Sequence, residues 1–264
     1  MKGSAMKILV TSSKGGIGKS TLSVGLANAF AAMGIHVLLV DLDLYGRSLD
    51  LLLGVDDEAL FDIGDLCAGR CTPDKVLLHP WDGKNVDFCP SPAVYDAADF
   101  APGAIAKALD ALAECTGADH VICDTAGMVC APEVATGFAD TVLLVTTQIP
   151  TSVRAVPSTV TALGLGENDA DRLRLVINTF DVRDAADGTR EGVLSIIDES
   201  GVRCAGIVPY DRSLMLAAED GELPDAKSPA MTALRNIALR LEGNDVKLFT
   251  GIKSIKKKTK KRIL

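Results

Sequence analysis

The sequence predicts an α/β fold: a mostly parallel, twisted sheet with helices on both faces, followed by a C-terminal amphipathic tail. Short apolar runs alternate with helical patterns along the chain, as expected of strands joined by crossover helices. A glycine-rich turn separates the first apolar run from the first helical pattern. Two later apolar runs close on aspartate, at the carboxyl edge where open α/β sheets bind ligands. With 264 residues, 48% of them hydrophobic, the chain is long enough for one large domain with a sizeable core. That domain is assigned to residues 1–243 and the tail to 244–264.

The first apolar run, Lys7-Ile8-Leu9-Val10, reads as a strand, and a helical pattern covers 22–33. Between them lies Lys14-Gly15-Gly16-Ile17-Gly18-Lys19-Ser20-Thr21. The phosphate-binding form G-x-x-x-x-G-K-[ST] fits if Ser13 takes the first small position. Gly15, Gly16 and Gly18 carry no Cβ to block positive φ, so the backbone N–H groups of the loop, Ile17 and Thr21 included, can turn onto a phosphate. A helix beginning near Lys19 adds its N-terminal donors and the positive end of its dipole. Lys19 would reach the β- and γ-phosphates, and the Ser20 hydroxyl would ligate Mg²⁺. The expectation is a P-loop NTPase with a bound nucleotide and Mg²⁺.

Lys14 stands five residues before Lys19. A second cation in a phosphate loop is costly unless another anion answers it. Here the sequence resembles the MinD/ParA family of deviant Walker A ATPases, whose K-G-G-x-G-K-[ST]-T places a first lysine where Lys14 stands. The resemblance spans about residues 6–242. It implies ATP as the nucleotide, and a homodimer in the ATP state with Lys14 crossing to the partner's ATP.

The apolar run 36–40 reads as a buried parallel strand and delivers Asp41 and Asp43. Alone, two acids in a turn are more often solvated or capping groups. The stretch resembles switch I of the family, which implies that Asp43 orients the attacking water while Asp41 helps to hold Mg²⁺ and Lys14. Cys67 and Cys71 are spaced Cys-x₃-Cys without a second pair, short of a structural zinc pattern. The family places two short helices around a glycine in this segment. A strand is expected at 86–89 and an alanine-rich helix at 104–114.

The run 120–124 is a second strand ending in an acid, Asp124, followed by Gly127. An acid there can hold Mg²⁺ through water, and a glycine N–H can follow the γ-phosphate. Cys123 and Cys130 flank it without a partner pair for an iron–sulfur cluster. Further strands are expected at 141–147, 172–177 and 202–208, with helices at 152–165, 191–199 and 231–241. Asn178, just past one strand, has an amide that can pair with an adenine edge. Family register favours that role, and it places the Pro209-Tyr210-Asp211 loop against the base, with Pro209 and Asp211 as binding residues. The family commonly has Ser-Val-Arg-Asp and a preceding acid where this chain has Ser152-Val153-Arg154-Ala155 and Ile149-Pro150. Dimer contacts carried by those acids have no counterpart here.

From Lys247 onward there are seven Lys, one Arg and no acid, leaving 19 basic against 35 acidic residues in the body, a net charge of about −16. A body that acidic disfavours a polyphosphate backbone, and no sequence-specific nucleic acid partner is expected. Wound as a helix, Leu248, Phe249, Ile252, Ile255 and Ile263 fall within about one third of the circumference, with most lysines elsewhere. Such a segment can fold on an anionic membrane surface, and the family resemblance favours that over a disordered basic tail. Seven scattered cysteines, no run approaching 18 apolar residues and no secretory pattern point to a cytoplasmic protein, peripheral on the cytoplasmic face of the cell membrane. The expected function is an ATP-hydrolysing, dimerising switch that positions the division site with an unidentified activator or effector. The alternatives are a partition ATPase on DNA, a flagellar-number regulator of the same family, or a metal-carrying or electron-transfer ATPase.

Overall fold

The computed structural model describes residues 5–81, 84–125, 131–222 and 225–248. The first half of the chain runs β1 (Met6–Thr11), α1 (Lys19–Ala31), β2 (Val37–Asp41), α2 (Leu49–Leu53), α3 (Ile63–Cys67), β3 (Val86–Cys89), α4 (Ala104–Thr116), β4 (His120–Asp124) and α5 (Ala131–Gly137). The second half runs β5 (Thr141–Thr146), α6 (Pro150–Val153), α7 (Ala155–Ala162), β6 (Leu173–Phe180), α8 (Val182–Asp187), α9 (Val193–Ser200), β7 (Cys204–Pro209), α10 (Arg212–Glu219) and α11 (Pro229–Leu241). The seven strands form one parallel sheet in the order β3-β2-β4-β1-β5-β6-β7, as the alternating pattern requires.

The central strands are continuous apolar runs because both their faces are covered. Alternate residues divide between two cores. Leu9, Leu38, Val40, Val121 and Cys123 pack under α4, α5 and α9, while Ile8, Val10, Val37, Leu39 and Ile122 pack under α1 and α11. The second layer is tight: a Cβ on Gly25 of α1 would sit 2.5 Å from Leu234 Cδ1 of α11.

Three elements depart from expectation. The helix anticipated over 152–165 is broken at Arg154 into α6 and α7, since Pro157 has no N–H for the Val153 carbonyl one turn earlier. β6 runs on through Asn178 to Phe180, held by pairing with β7 across a register shift, so Asn178 lies inside a strand end and not after it. The α11 helix starts at Pro229, two residues earlier than expected, because Ser228 caps it by accepting from Met231 N.

The last described residues remain on the body. Arg240 donates to Ala205 O through Nη1, to Val246 O through Nε and to Lys247 O through Nη2, at 2.7, 2.7 and 2.8 Å. His120 Nε2 meets Glu242 Oε1 at 2.6 Å, and Leu248 packs against the core.

Candidate functional site

The loop between β1 and α1 follows the sheet's topology: β1 is central, with β4 on one side and β5 on the other, so its carboxyl end opens between two crossovers. Gly16 and Gly18 adopt φ of 71° and 82°, values that L side chains rarely take, which curls the loop over the start of α1. Gly18 is also pressed by Asn178, whose Nδ2 would lie 2.6 Å from a Cβ there and donates to Ile17 O at 2.8 Å. Gly15 has open space around it.

The two lysines of the loop diverge. Lys19, 6% exposed, turns inward and donates to Lys14 O at 3.1 Å. Burial lowers its pKa, while Asp124 and Asp43 oppose that shift, so all three belong to one electrostatic group. Lys14 turns the other way, and its Nζ donates to Thr151 Oγ1 in α6 at 2.6 Å.

The aspartates gather beside Lys19. Asp41 and Asp124 end adjacent strands as register partners, and both are fully buried. Asp41 is pushed up to about 7 by burial and by Asp124, against three backbone hydrogen bonds that favour its charge. Those bonds come from Asp43 N to Oδ1 and from Ser48 N and Leu49 N to Oδ2, which ties the 43–49 loop to the sheet. Burial also raises Asp124, with the Ser20 and Ser23 hydroxyls and Lys19 opposing. Asp124 Oδ1 accepts from Ser23 Oγ at 2.8 Å, whereas its Oδ2 has no partner among the described residues. An orphaned, buried carboxylate oxygen near the Ser20 hydroxyl fits a hard cation such as Mg²⁺, which prefers oxygen donors. Asp43 is folded back on its own turn, accepting from Gly46 N at 2.8 Å, and a Cβ on Gly46 would lie 2.3 Å from its Oδ2. Gly127 and Cys130 lie outside the described residues, as do residues 249–264 of the tail.

On the other side of the loop is a cavity of about 600 Å³. Gly16, Ile17, Gly18, Thr21, Asn178, Pro209 and Asp211 all line it, so it gathers most of the residues expected to hold the nucleotide. Asp211 is also structural: it caps α10 by accepting from Ser213 N and ties α11 by accepting from Ala230 N. Burial works against its charge, but these bonds and the Ser213 and Ser228 hydroxyls hold its carboxyl below the usual range. Sequence reasoning missed Gln148, Thr179, Asp181, Asp184 and Arg190, which supply further polar groups of the wall. Asp181 follows β6 directly and Gln148 is the second residue past β5, so the carboxyl-edge rule could have found them. Arg190 has no such signal.

No disulfide joins the described cysteines, and burial pushes Cys67 up to about 12, away from a ligating thiolate. No group of three or more His, Cys, Asp or Glu is arranged for a metal among the described residues. No described helix is long and apolar enough to cross a membrane.

Comparison with known proteins agrees with this geometry. The septum site-determining protein MinD of Bacillus subtilis (strain 168) is 32% identical over 248 residues, covering 91% of this chain and 90% of the relative. The structure of the MinC:MinD cell division protein complex of Aquifex aeolicus superposes with a TM-score of 0.82 at 27% identity, covering 92% of this chain and 98% of that one. The Pyrococcus horikoshii OT3 septum site-determining protein, complexed with Mg-ADP, shares the fold with a TM-score of 0.74 at 22% identity, covering 90% and 96%. Residues 8–224 match the CobQ/CobB/MinD/ParA nucleotide binding domain, and with the loop, the aspartate pair and the sheet order in place, the chain belongs to that family.

Proposed function

We propose that this chain is a MinD-like ATPase switch. Two copies bind ATP with Mg²⁺, close into a homodimer across their Lys14 loops, stay on an anionic membrane surface through their tails, and separate after hydrolysis to ADP and phosphate. The observation that carries the reading is the divergence of the two lysines. Lys19 is turned into its own loop, where a triphosphate would displace it from Lys14 O, and Lys14 is turned away from it, donating to the surface hydroxyl of Thr151. A cation that its own loop does not use is available to a neighbour's phosphates.

The remaining roles follow from position. Ser20 and the free oxygen of Asp124 would hold Mg²⁺, which neutralises charge on the phosphates when bound. Asp43 would orient the attacking water once released from Gly46, so that engaging the nucleotide and rearranging the 43–49 loop become one event. Asn178 and Pro209 would face the base. A tail that anchors weakly alone becomes adequate when two are linked in one dimer, which makes membrane residence depend on ATP. The names of the relatives, a septum-site protein and a partner in a MinC complex, support division-site positioning with an effector protein.

Liposome co-sedimentation tests the proposal. With ATP and Mg²⁺ the full chain should pellet with anionic vesicles and with ADP it should not, while a chain lacking residues 246–264 should bind nucleotide yet stay in the supernatant. Equal pelleting with both nucleotides would refute the switch, and pelleting of the truncated chain would refute the tail.

A further inference from the structure

Gln148, the second residue past β5, is only 3% exposed, yet its carboxamide joins two loops distant in sequence. Its Oε1 accepts from Asp181 N at 2.6 Å, and its Nε2 donates to Glu191 O at 3.2 Å. The segment between those two contacts is fastened from within by Arg190, whose N donates to Asp184 O at 3.1 Å and whose Nε donates to Asp184 Oδ2 at 2.9 Å. Gln148, Asp181, Asp184 and Arg190 all line the large cavity. Gln148 and Arg190 also line a second cavity of about 370 Å³, and so form the partition between the two.

This partition is polar, bears a guanidinium, and faces the same space as Asn178 and Pro209. A guanidinium plane stacks well on a flat π system, and Arg190 has one edge already fixed by Asp184. Its placement depends on the 188–191 loop, which Gln148 holds from below through Glu191 O. Removing a buried carboxamide leaves Asp181 N and Glu191 O without their partner, so the loop must shift to find others.

We infer that Gln148 is a positioning residue: it holds the Arg190 loop against the nucleobase, so that these two side chains add to the base-dependent part of nucleotide affinity beside Asn178 and Pro209, while the P-loop supplies the phosphate-dependent part. This inference rests on the nucleotide reading and says which residues read the base.

Calorimetric titration with Mg-ATP and with Mg-tripolyphosphate tests it on the full chain, Gln148→Leu, Arg190→Ala and the double variant. Each single variant should lose about tenfold in ATP affinity, the effect of one or two lost hydrogen bonds or a stacking contact, and keep tripolyphosphate affinity within about twofold. The double variant should lose little more than the worse single, because both changes remove one arrangement. Arg190 is exposed, so its variant remains informative should Gln148→Leu fold poorly. Unchanged ATP affinity, parallel losses for both ligands, or losses that multiply would each overturn the inference. A wild-type chain that bound tripolyphosphate but showed no preference for ATP would instead bring down the nucleotide reading, and this inference with it.

Discussion

Asp41 and Asp124 are register partners at the ends of adjacent parallel strands, both fully buried, and one carboxylate is saturated with backbone donors while the other keeps an open oxygen. Burial disfavours the Asp41 carboxylate and the neighbouring Asp124 charge adds to that, which together push Asp41 up to about 7. Its folded value is raised above the unfolded one, so its stabilising contribution is full below pH 4 and is lost as pH rises through about 7. The upper bound is about 4 kcal/mol, from three pKa units at 1.36 kcal/mol each. In urea unfolding of the nucleotide-free protein, wild type should therefore lose stability relative to Asp41→Asn between pH 5 and 8. A constant difference across that range would contradict the shift. Mg²⁺ with nucleotide should shrink the effect, since a cation favours the ionised pair.

Gly18 meets two demands, a φ of 82° and contact with Asn178. Gly18→Ala should cost about 1–3 kcal/mol in thermal or urea unfolding from backbone strain, and more than that in ATP binding because the loop loses its shape. Full stability with full ATP affinity would show that the loop tolerates a different path.

Lys14 and Asp43 should separate three properties. Lys14→Ala should keep ATP affinity within a few-fold and abolish ATP-dependent dimerisation in light-scattering chromatography. Asp43→Ala should keep both and slow turnover by about 10²–10⁴-fold, the usual weight of a group that positions or activates water. Lys19→Ala should lose ATP binding itself.

Arg240 donates to three backbone carbonyls at the root of the tail. Arg240→Ala should lower stability by about 1–3 kcal/mol, the cost of leaving carbonyls without a charged donor, as read from urea midpoints. Its ATP affinity should remain that of wild type, since the contact is remote from the cavity. A chain with unaltered midpoint would mean that water replaces the guanidinium at no cost.

Much of the site was legible because local sequence dictates it. A glycine followed at once by Lys19 and Ser20 has few other uses between a strand and a helix, and Asp124 closes an apolar run in the way a buried strand end should. The parallel sheet with both faces covered follows from the alternation of strands and helices, whereas its strand order does not. What the sequence withheld depends on distant pairing. β6 extends through Asn178 only because β7 accompanies it, and Gln148 joins Asp181 and Glu191 across 33 and 43 residues. The inward fold of Asp43 was hidden too, because it turns on the missing side chain of Gly46. Arg190 shows the same limit, being one arginine among many until the loop places it.

β4 has a different attachment at each end. Asp124 finishes it beside the P-loop, while His120 begins it with its imidazole on Glu242, and Arg240 fastens Val246 and Lys247 near the start of β7. The floor of the sheet thus carries the tail's origin and the roof carries the phosphates, separated by the length of a five-residue strand, about 17 Å. A ligand at the roof cannot touch the tail's origin directly. Under the switch proposed above, pairing of two chains would let the nucleotide govern the tails without either end of the strand having to reach the other.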